Sequence, residues 1–403
     1  MTAGRPGVRV AAVAATAFAF TVTMLGTTLP TPLYPLYAQR LDFAALTVSV
    51  LFAVYALGVV AALACFGRLS DDVGRRPVLM LATAVAALSA VLFLLPLSVP
   101  LLIVARVVSG LSAGLMTGSG TAAVVDLFPA ERSAAGGALA IGANMGGLGA
   151  GTLLAGVLAQ LAPHPLVLPY VVHLVLSVIG LSGLWLLTPK PPPKPPGQPA
   201  SRPRWRIRPQ RLRVPPALRG SFTIAVLSGG AAFAVTGVLT AITALFLAKS
   251  LHLTSHALAG GVVCLVFVAL AVGQLLARLI SSPLLAMRIG CVGLVVAAGC
   301  LAGALGPTLL APLLVAAVVL GASGGLCLNA GIAITVGRTE QASRGSVSSA
   351  LFAGLYLMLA FPAVAVGVLT DATSLRTAGL IFTAAVAVLA AAVALATMRN
   401  RAT

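Results

Sequence analysis

The feature of this sequence that most limits its fold is a series of twelve long apolar runs. They cover residues 10–36, 43–66, 78–97, 101–125, 136–161, 166–187, 222–247, 258–277, 289–305, 309–336, 347–369 and 378–398. A run of about 20 apolar residues is long enough for a helix to cross the hydrocarbon core of a membrane. In lipid every backbone polar group must bond within the protein, so each run is predicted to be an α-helix. The predicted fold class is an all-α membrane protein with twelve transmembrane helices.

The composition excludes several other classes. Only 8% of the 403 residues are charged, against about 25% in soluble proteins, which excludes an ordinary soluble enzyme. The apolar runs are continuous, which excludes an outer-membrane barrel with alternating apolar and polar residues. The sequence has no GxxxxGK[ST] phosphate-binding loop, no His/Cys cluster and no pair of acids suited to catalysis. We therefore predict no enzyme activity, no catalytic residues, no metal site and no cofactor.

The basic residues predict the orientation of the chain. Of the 25 Lys and Arg residues, 21 fall in the termini and in the alternate loops on the same side as the termini. Only Arg40, Lys249 and Arg376 fall in the loops of the other side, and Arg106 lies within a run. Cytoplasmic loops carry an excess of Lys and Arg, so both termini are predicted to be cytoplasmic. The net charge of +18 is then a topology signal. We expect a multi-pass protein of the inner (plasma) membrane whose surroundings are lipid, with no nucleic-acid partner.

An internal repeat divides the chain into halves. The motif GLSAGL at residues 110–115 returns as GASGGL at 321–326, an offset of 211 residues. Parallel six-helix repeats with a substrate site between them are a recurrent transporter design. The sequence therefore predicts two pseudo-symmetric six-helix bundles, at residues 1–188 and 221–403. A cytoplasmic linker rich in Pro and Arg joins them at residues 189–220.

The loop between the second and third runs carries a recognisable motif, GRLSDDVGRR at residues 67–76. This motif resembles the signature loop of the major facilitator superfamily, Gly-x-Leu-Ala-Asp-Arg-x-Gly-Arg-Arg/Lys. It differs at Asp72, where the family usually has a basic residue. The stretch GANMGGLGAG at 142–151 resembles the glycine-rich segment of twelve-span family members that export drugs by proton antiport, although it also fits simple close helix packing.

The resemblance implies a conformational latch around this loop. In the family fold Asp71 meets the start of the eleventh span, and Arg75 pairs with an acid that ends the fourth, here Asp126. Such contacts stabilise the outward-facing state and do not touch substrate. The alternative is a plain hydrophilic turn. The predicted latch residues are Gly67, Asp71, Gly74, Arg75, Arg76 and Asp126.

Two residues are candidates for ion coupling or for binding a substrate anion. Arg106 stands in the fourth run, in a segment similar to the family's Arg-x-x-x-Gly, and a charge inside a membrane span is costly enough to indicate a function. The alternative is an arginine satisfied by backbone carbonyls. His173, in the sixth run, titrates in the range useful for proton coupling. A lone histidine in a helix is also compatible with a purely structural role.

Polar and aromatic residues within the runs predict the wall of a substrate cavity. No acid falls at the centre of a run, which argues against a cationic substrate and favours a neutral, amphipathic or anionic one. A few polar groups among apolar walls suit a greasy ligand, although each residue is also explained by contacts between helices. The predicted cavity residues are Phe52, Tyr55, Met116, Asn144, Phe233, Thr236, Thr240, Asn329, Phe352 and Tyr356.

Together these features predict a monomeric secondary transporter that works by alternating access. We expect proton-coupled efflux of a small amphipathic compound, such as a drug or secondary metabolite. One alternative is an importer of a sugar or another metabolite. Sugar sites usually need many polar groups and tryptophan, and this chain has only Trp185 and Trp205. A second alternative is a non-transporting sensor or interaction protein on the same fold.

Overall fold

A computed structural model of the protein describes residues 6–67, 69–188, 214–251, 253–305, 309–340 and 343–399, and these ranges are helical with short connections. The helices are α1 (Pro6–Thr28), α2 (Tyr34–Leu41), α3 (Ala45–Phe66), α4 (Leu69–Val73), α5 (Arg75–Leu94), α6 (Val99–Asp126), α7 (Ser133–Leu161), α8 (Leu168–Leu187), α9 (Arg219–Ser250), α10 (His256–Leu276), α11 (Pro283–Leu305), α12 (Leu310–Ile334), α13 (Arg344–Ala372) and α14 (Leu375–Arg399). Twelve helical segments in these ranges are long and apolar enough to cross a membrane. The predicted all-α fold with twelve transmembrane helices is confirmed.

The first span differs from its prediction as one continuous helix over 10–36. Helix α1 ends at Thr28, and a 3₁₀ turn at Thr31–Leu33 leads into α2. Pro30, Pro32 and Pro35 cause this break, because proline has no N–H to donate to the preceding turn of a helix. The segment after α1 therefore packs against the end of the bundle, where Leu33, Tyr34 and Tyr37 are buried.

The two halves share the same helix crossing. In the first half Gly114 of α6 faces α3 so closely that a Cβ atom there would lie 2.7 Å from the carbonyl oxygen of Val59. In the second half Gly325 of α12 faces the carbonyl of Leu270 of α10 in the same way. Gly114 and Gly325 are 211 residues apart, and so are Val59 and Leu270. Small residues let helix backbones approach this closely, and their matched positions show the pseudo-symmetry predicted from the repeat.

A second contact is also repeated at an offset of 212 residues. The guanidinium of Arg76, at the start of α5, donates to the carbonyl of Trp185 near the end of α8. The guanidinium of Arg288, near the start of α11, donates to the carbonyl of Thr397 near the end of α14. Each arginine satisfies a carbonyl that a helix end leaves unbonded. Arg288 lies just before the predicted run 289–305, but the structure places it within α11, where it is 8% exposed. That it lies on the cytoplasmic side stays a prediction.

The halves pack against each other most closely at one end of the bundle. There the Thr31–Leu33 turn contacts α9 and α10, and the Thr152 hydroxyl of α7 donates to the carbonyl of Gly260 of α10 over 3.1 Å. A Cβ atom on Gly367 of α13 would lie 2.5 Å from the Ser49 hydroxyl of α3. This end is closed. The predicted linker at 189–220 lies largely outside the described residues, and α9 already begins at Arg219.

Candidate functional site

A cavity of about 540 Å³ lies between the two halves. Helices α1, α3, α6 and α7 line it from the first half, and α9, α10, α12 and α13 from the second. Among its lining residues, Asp126 and Arg278 are exposed, whereas Thr27, Thr28 and Arg106 are buried. The cavity therefore has an open end, where α6 and α10 finish, and a blind end near the end of α1.

Nine of the ten predicted cavity residues lie on this wall. They are Phe52, Tyr55, Asn144, Phe233, Thr236, Thr240, Asn329, Phe352 and Tyr356. That they contact a substrate stays a prediction. Met116 is the exception: it is fully buried in the core of the first half, beside Gly120 and Phe20. Helix α6 turns Thr117, Gly118 and Thr121 towards the cavity, so Met116 points away from it.

Aromatic rings from both halves meet across the cavity. The ring centroids of Tyr55 and Tyr356 are 6.4 Å apart, and those of Phe233 and Tyr356 are 5.7 Å apart, both edge to face. Phe52 lies 6.3 Å from Tyr55. The edge-to-face arrangement of the first two pairs is a favoured geometry for aromatic rings. The cluster gives the middle of the cavity an apolar surface whose two sides belong to different halves.

Arg106 forms part of the blind end. Its Nη1 donates to the carbonyl of Thr27 over 2.7 Å, and its Nε to the carbonyl of Leu51 over 3.2 Å. Its Cζ lies 4.3 Å from the ring centroid of Tyr55, within range of a cation–π interaction. Only 1% of Arg106 is exposed, and the one ion pair found within the described part of the chain is elsewhere. The arrangement leaves a fixed positive charge beside an apolar cavity. The backbone bonds also agree with the structural alternative.

The ion pair joins two of the predicted latch residues. Nε of Arg75 lies 3.3 Å from Oδ2 of Asp126, and Nη1 of Arg75 donates to the Ser70 hydroxyl over 2.8 Å. Gly74 has φ 100°, a conformation that favours glycine. The pair is solvent-exposed, so its own stability contribution is at most about 1 kcal/mol. Both partners belong to the first half, so the pair alone cannot hold the halves together.

Three other predicted latch residues surround this pair. Gly67 ends α3, and Arg76 makes the bond to Trp185 described above. Asp71 belongs to α4, but its side chain lies outside the described residues. The contact expected between Asp71 and the start of α13 therefore stays a prediction.

His173 does not reach the central cavity. It is 2% exposed, and its Nε2 lies 3.2 Å from the carbonyl oxygen of Val22 of α1. The Ser177 hydroxyl is 3.4 Å from the same nitrogen. Gly26 makes room for the ring, since any side chain there would overlap the imidazole. The structure thus places His173 between α1 and α8, apart from the cavity wall on which Arg106 lies.

The cavity also contains polar residues that sequence reasoning missed, namely Thr27, Thr28, Thr117, Thr121, Gln274, Arg278 and Ser348. Gln274 is 5% exposed, and its Nε2 has no hydrogen-bond partner among the described residues. Nη1 of Arg278 donates across the halves to the carbonyl of Ala134 over 3.0 Å. A signal for Gln274 existed, because it is the one amide in the apolar run 258–277. A polar residue in a span usually faces the protein interior.

Comparisons with known proteins agree with this architecture. The family model described as Major Facilitator Superfamily matches residues 16–308. A curated protein from Salmonella ordonez, "Tetracycline resistance protein, class D", is 37% identical over 131 residues. That match covers 32% of this chain and 32% of the relative, so the two proteins are aligned over about a third of their lengths.

Two solved structures have the same fold over nearly the whole chain. One is a bacterial homolog to the human lysosomal transporter Spinster, inward-facing and unoccupied, with a TM-score of 0.72 and 16% identity over 98% of both chains. The other is a mutant of the nucleoside transporter NupG, with a TM-score of 0.70 and 13% identity over 97% of this chain and 99% of that one. At these identities the likeness concerns the fold alone.

Proposed function

The chain belongs to the Major Facilitator Superfamily of membrane transporters, and from this premise we propose that it exports a small amphipathic compound in exchange for protons, by alternating access. The observation that carries the proposal is the central cavity, which has one exposed end and one blind end between two pseudo-symmetric halves. Its volume of about 540 Å³ is in the range of sites for drug-sized ligands. A cavity of this kind is made accessible to the other side when the halves rock about it.

The direction of transport is inferred from the chemistry of the wall. The wall is mainly apolar and aromatic, and the described lining residues include no tryptophan. This favours a greasy compound over a sugar, for which a wall rich in polar groups and tryptophan is expected. The relative named for tetracycline resistance supports efflux over the third of the chain that it matches. Import of a sugar or other metabolite is the alternative that the experiment below separates.

The orientation gives the cavity its role in the cycle. We place both termini in the cytoplasm, the chain as a monomer in the inner (plasma) membrane, and the halves at residues 1–188 and 221–403. The open end, marked by Asp126 and Arg278, then faces the cytoplasm. The conformation is inward-facing and ready to load substrate. Asp71, Arg75 and Asp126 act at this same end, where the halves must meet when the cavity opens outwards.

An export assay with and without a proton gradient tests the proposal. The full chain is expressed in a bacterial host that lacks its own drug exporters, and the retained amounts of tetracycline and of a panel of amphipathic dyes are measured. We expect lower retention than in cells with an empty vector, and loss of the difference after an uncoupler is added. Higher retention would identify an importer. Export that ignores the uncoupler would contradict proton exchange.

A further inference from the structure

We propose that the substrate of the central cavity is an amphipathic anion, and that Gln274 and Arg278 bind its carboxylate or an equivalent acidic group. This inference rests on the proposed function, since it names the substrate class for the same cavity. It assigns a binding role to two residues at the open end of the cavity, which the substrate of an exporter would meet first.

The first observation is an unsatisfied donor on the cavity wall. Gln274 lines the cavity, is 95% buried, and its Nε2 has no partner among the described residues. A buried N–H without an acceptor costs about 1–3 kcal/mol, so native proteins rarely retain one without a reason. A ligand oxygen in the cavity would supply the missing acceptor.

The second observation is a cation four residues further along the chain. Arg278 lies in the 3₁₀ turn Ala277–Leu279, which directly follows α10. Both residues line the cavity. The bond to Ala134 uses one of the five N–H donors that a guanidinium carries. Both side chains carry N–H donors for a ligand oxygen, and a hydrogen bond from a guanidinium to a carboxylate is roughly twice as strong as a neutral one.

The charge of the whole wall points the same way. Arg106 and Arg278 are cations, and Asp126 is the one acid among the lining residues that the structure describes. Asp126 is already paired with Arg75. An organic cation would meet a positive wall without a free carboxylate, and an unpaired buried charge is costly. An anion would meet a positive wall and an unused donor.

The rest of the wall fits the apolar part of such a molecule. The aromatic cluster of Tyr55, Phe233 and Tyr356 lies on the wall between the two halves. Arg106 lies beside Tyr55 at the blind end. A ligand with an aromatic body and one acidic group would place the body on these rings and the acid on Gln274 and Arg278.

Three probes that differ only in charge test the proposal. Binding of 1-naphthylacetate, 1-naphthylacetamide and 1-naphthylmethylamine to the purified full chain is measured by calorimetry in detergent, with empty micelles subtracted. We expect the acid to bind about tenfold more tightly than the neutral amide, as for one hydrogen bond to a charged group, and the amine to bind least. Gln274→Leu and Arg278→Gln should each reduce the affinity for the acid to that for the amide.

Two further variants separate recognition from other effects. Gln274→Glu places an acid at the same position and should reverse the order, so that the amine binds best. Arg338→Gln removes an exposed charge from the same end of the protein, outside the cavity lining, and should leave the preference for the acid unchanged. Equal affinities for the three probes would overturn the proposal. So would a preference for the acid that survives both Gln274→Leu and Gln274→Glu.

Transport of the neutral probe shows which proposal has failed. If proteoliposomes export 1-naphthylacetamide on a proton gradient while the acid has no advantage, only the anion assignment is wrong. If none of the three probes moves in response to the gradient, and the panel of dyes gives no export either, the proposed function fails as well.

Discussion

The two halves of the protein share a skeleton but differ in chemistry. The crossing of α3 and α6 at Gly114 is repeated by α10 and α12 at Gly325, and the arginine contact at Arg76 is repeated at Arg288. At the same offset of 211, Arg106 corresponds to Ala317, and Asp126 corresponds to Gly337. The buried cation of the cavity wall and the acid of the ion pair therefore belong to the first half alone.

The difference shows that packing and chemistry are specified separately. The repeated positions are those where a backbone approaches another backbone or where a helix end needs a donor. The two residues without a counterpart, Arg106 and Asp126, line the cavity in the first half. Each half can thus keep one fold while the first supplies Arg106 and the second supplies Gln274 and Arg278 to the common cavity.

The shared skeleton can be broken in either half by adding one methyl group. Gly114→Ala and Gly325→Ala each force a Cβ atom into a facing backbone, which cannot move aside as a flexible side chain can. Overpacking usually costs about 1–3 kcal/mol, and we expect the upper end here. Both variants should unfold at clearly lower temperature in detergent, and by similar amounts.

Matched glycines provide the controls for this test. Gly118 in α6 and Gly299 in α11 have no atom within 4 Å of an added Cβ. Their alanine variants should keep the wild-type unfolding temperature, or gain slightly through helix propensity. If Gly114→Ala were harmless while Gly325→Ala was not, the halves would not share this crossing in the folded protein.

The chemistry that belongs to the first half alone is tested by replacing Arg106. Arg106→Ala should lower transport by about tenfold to a hundredfold, the usual value of a hydrogen bond to a charged group, while the protein still folds. Arg106→Lys should not restore it, because a lysine cannot form the same planar set of bonds. Transport is measured in proteoliposomes, together with gel filtration to verify folding. Unchanged kinetics in Arg106→Ala would show that the arginine is only structural.

An arginine at Ala317, the position in the second half that corresponds to Arg106, should destabilise the protein. Ala317 is fully buried in the core of that half. An arginine there meets no prepared carbonyls, and a charge inside a membrane span costs about 2.5–3.5 kcal/mol on insertion scales. Ala317→Arg should therefore lower the yield of folded protein, and it should not rescue transport in Arg106→Ala.

Much of this architecture was predictable from the sequence, because a long apolar run has only one stable structure in lipid. Nine cavity residues were also predictable, since a polar or aromatic residue in a span usually faces other helices. The placement of Met116 on the cavity wall was wrong, because the helices packed around α6 determine which of its faces turns towards the cavity. The start of α11 at Pro283, six residues before the predicted run 289–305, was missed because span boundaries are uncertain by a few residues. The cavity position of Gln274 was not predicted, because a polar residue close to the end of a span is also explained by contact with water or lipid headgroups.

The smallest expected effect compares the two arginine contacts at the helix ends. Arg288 is 8% exposed, so water cannot replace its bond to Thr397, whereas Arg76 is half-buried and its bond to Trp185 is more accessible to water. Arg288→Met should therefore lower the stability by about 1–2 kcal/mol, and Arg76→Met by about 0.5 kcal/mol or less. The difference is read from unfolding temperatures, with exposed Arg376→Met as the control. The Nε atoms of Arg76 and of Arg288 are both buried and unpaired in the described residues, which offsets part of the contribution of each bond. Equal losses at the two sites would mean that the contact acts through helix geometry and not through burial, and the halves would then be alike here in energy as well as in structure.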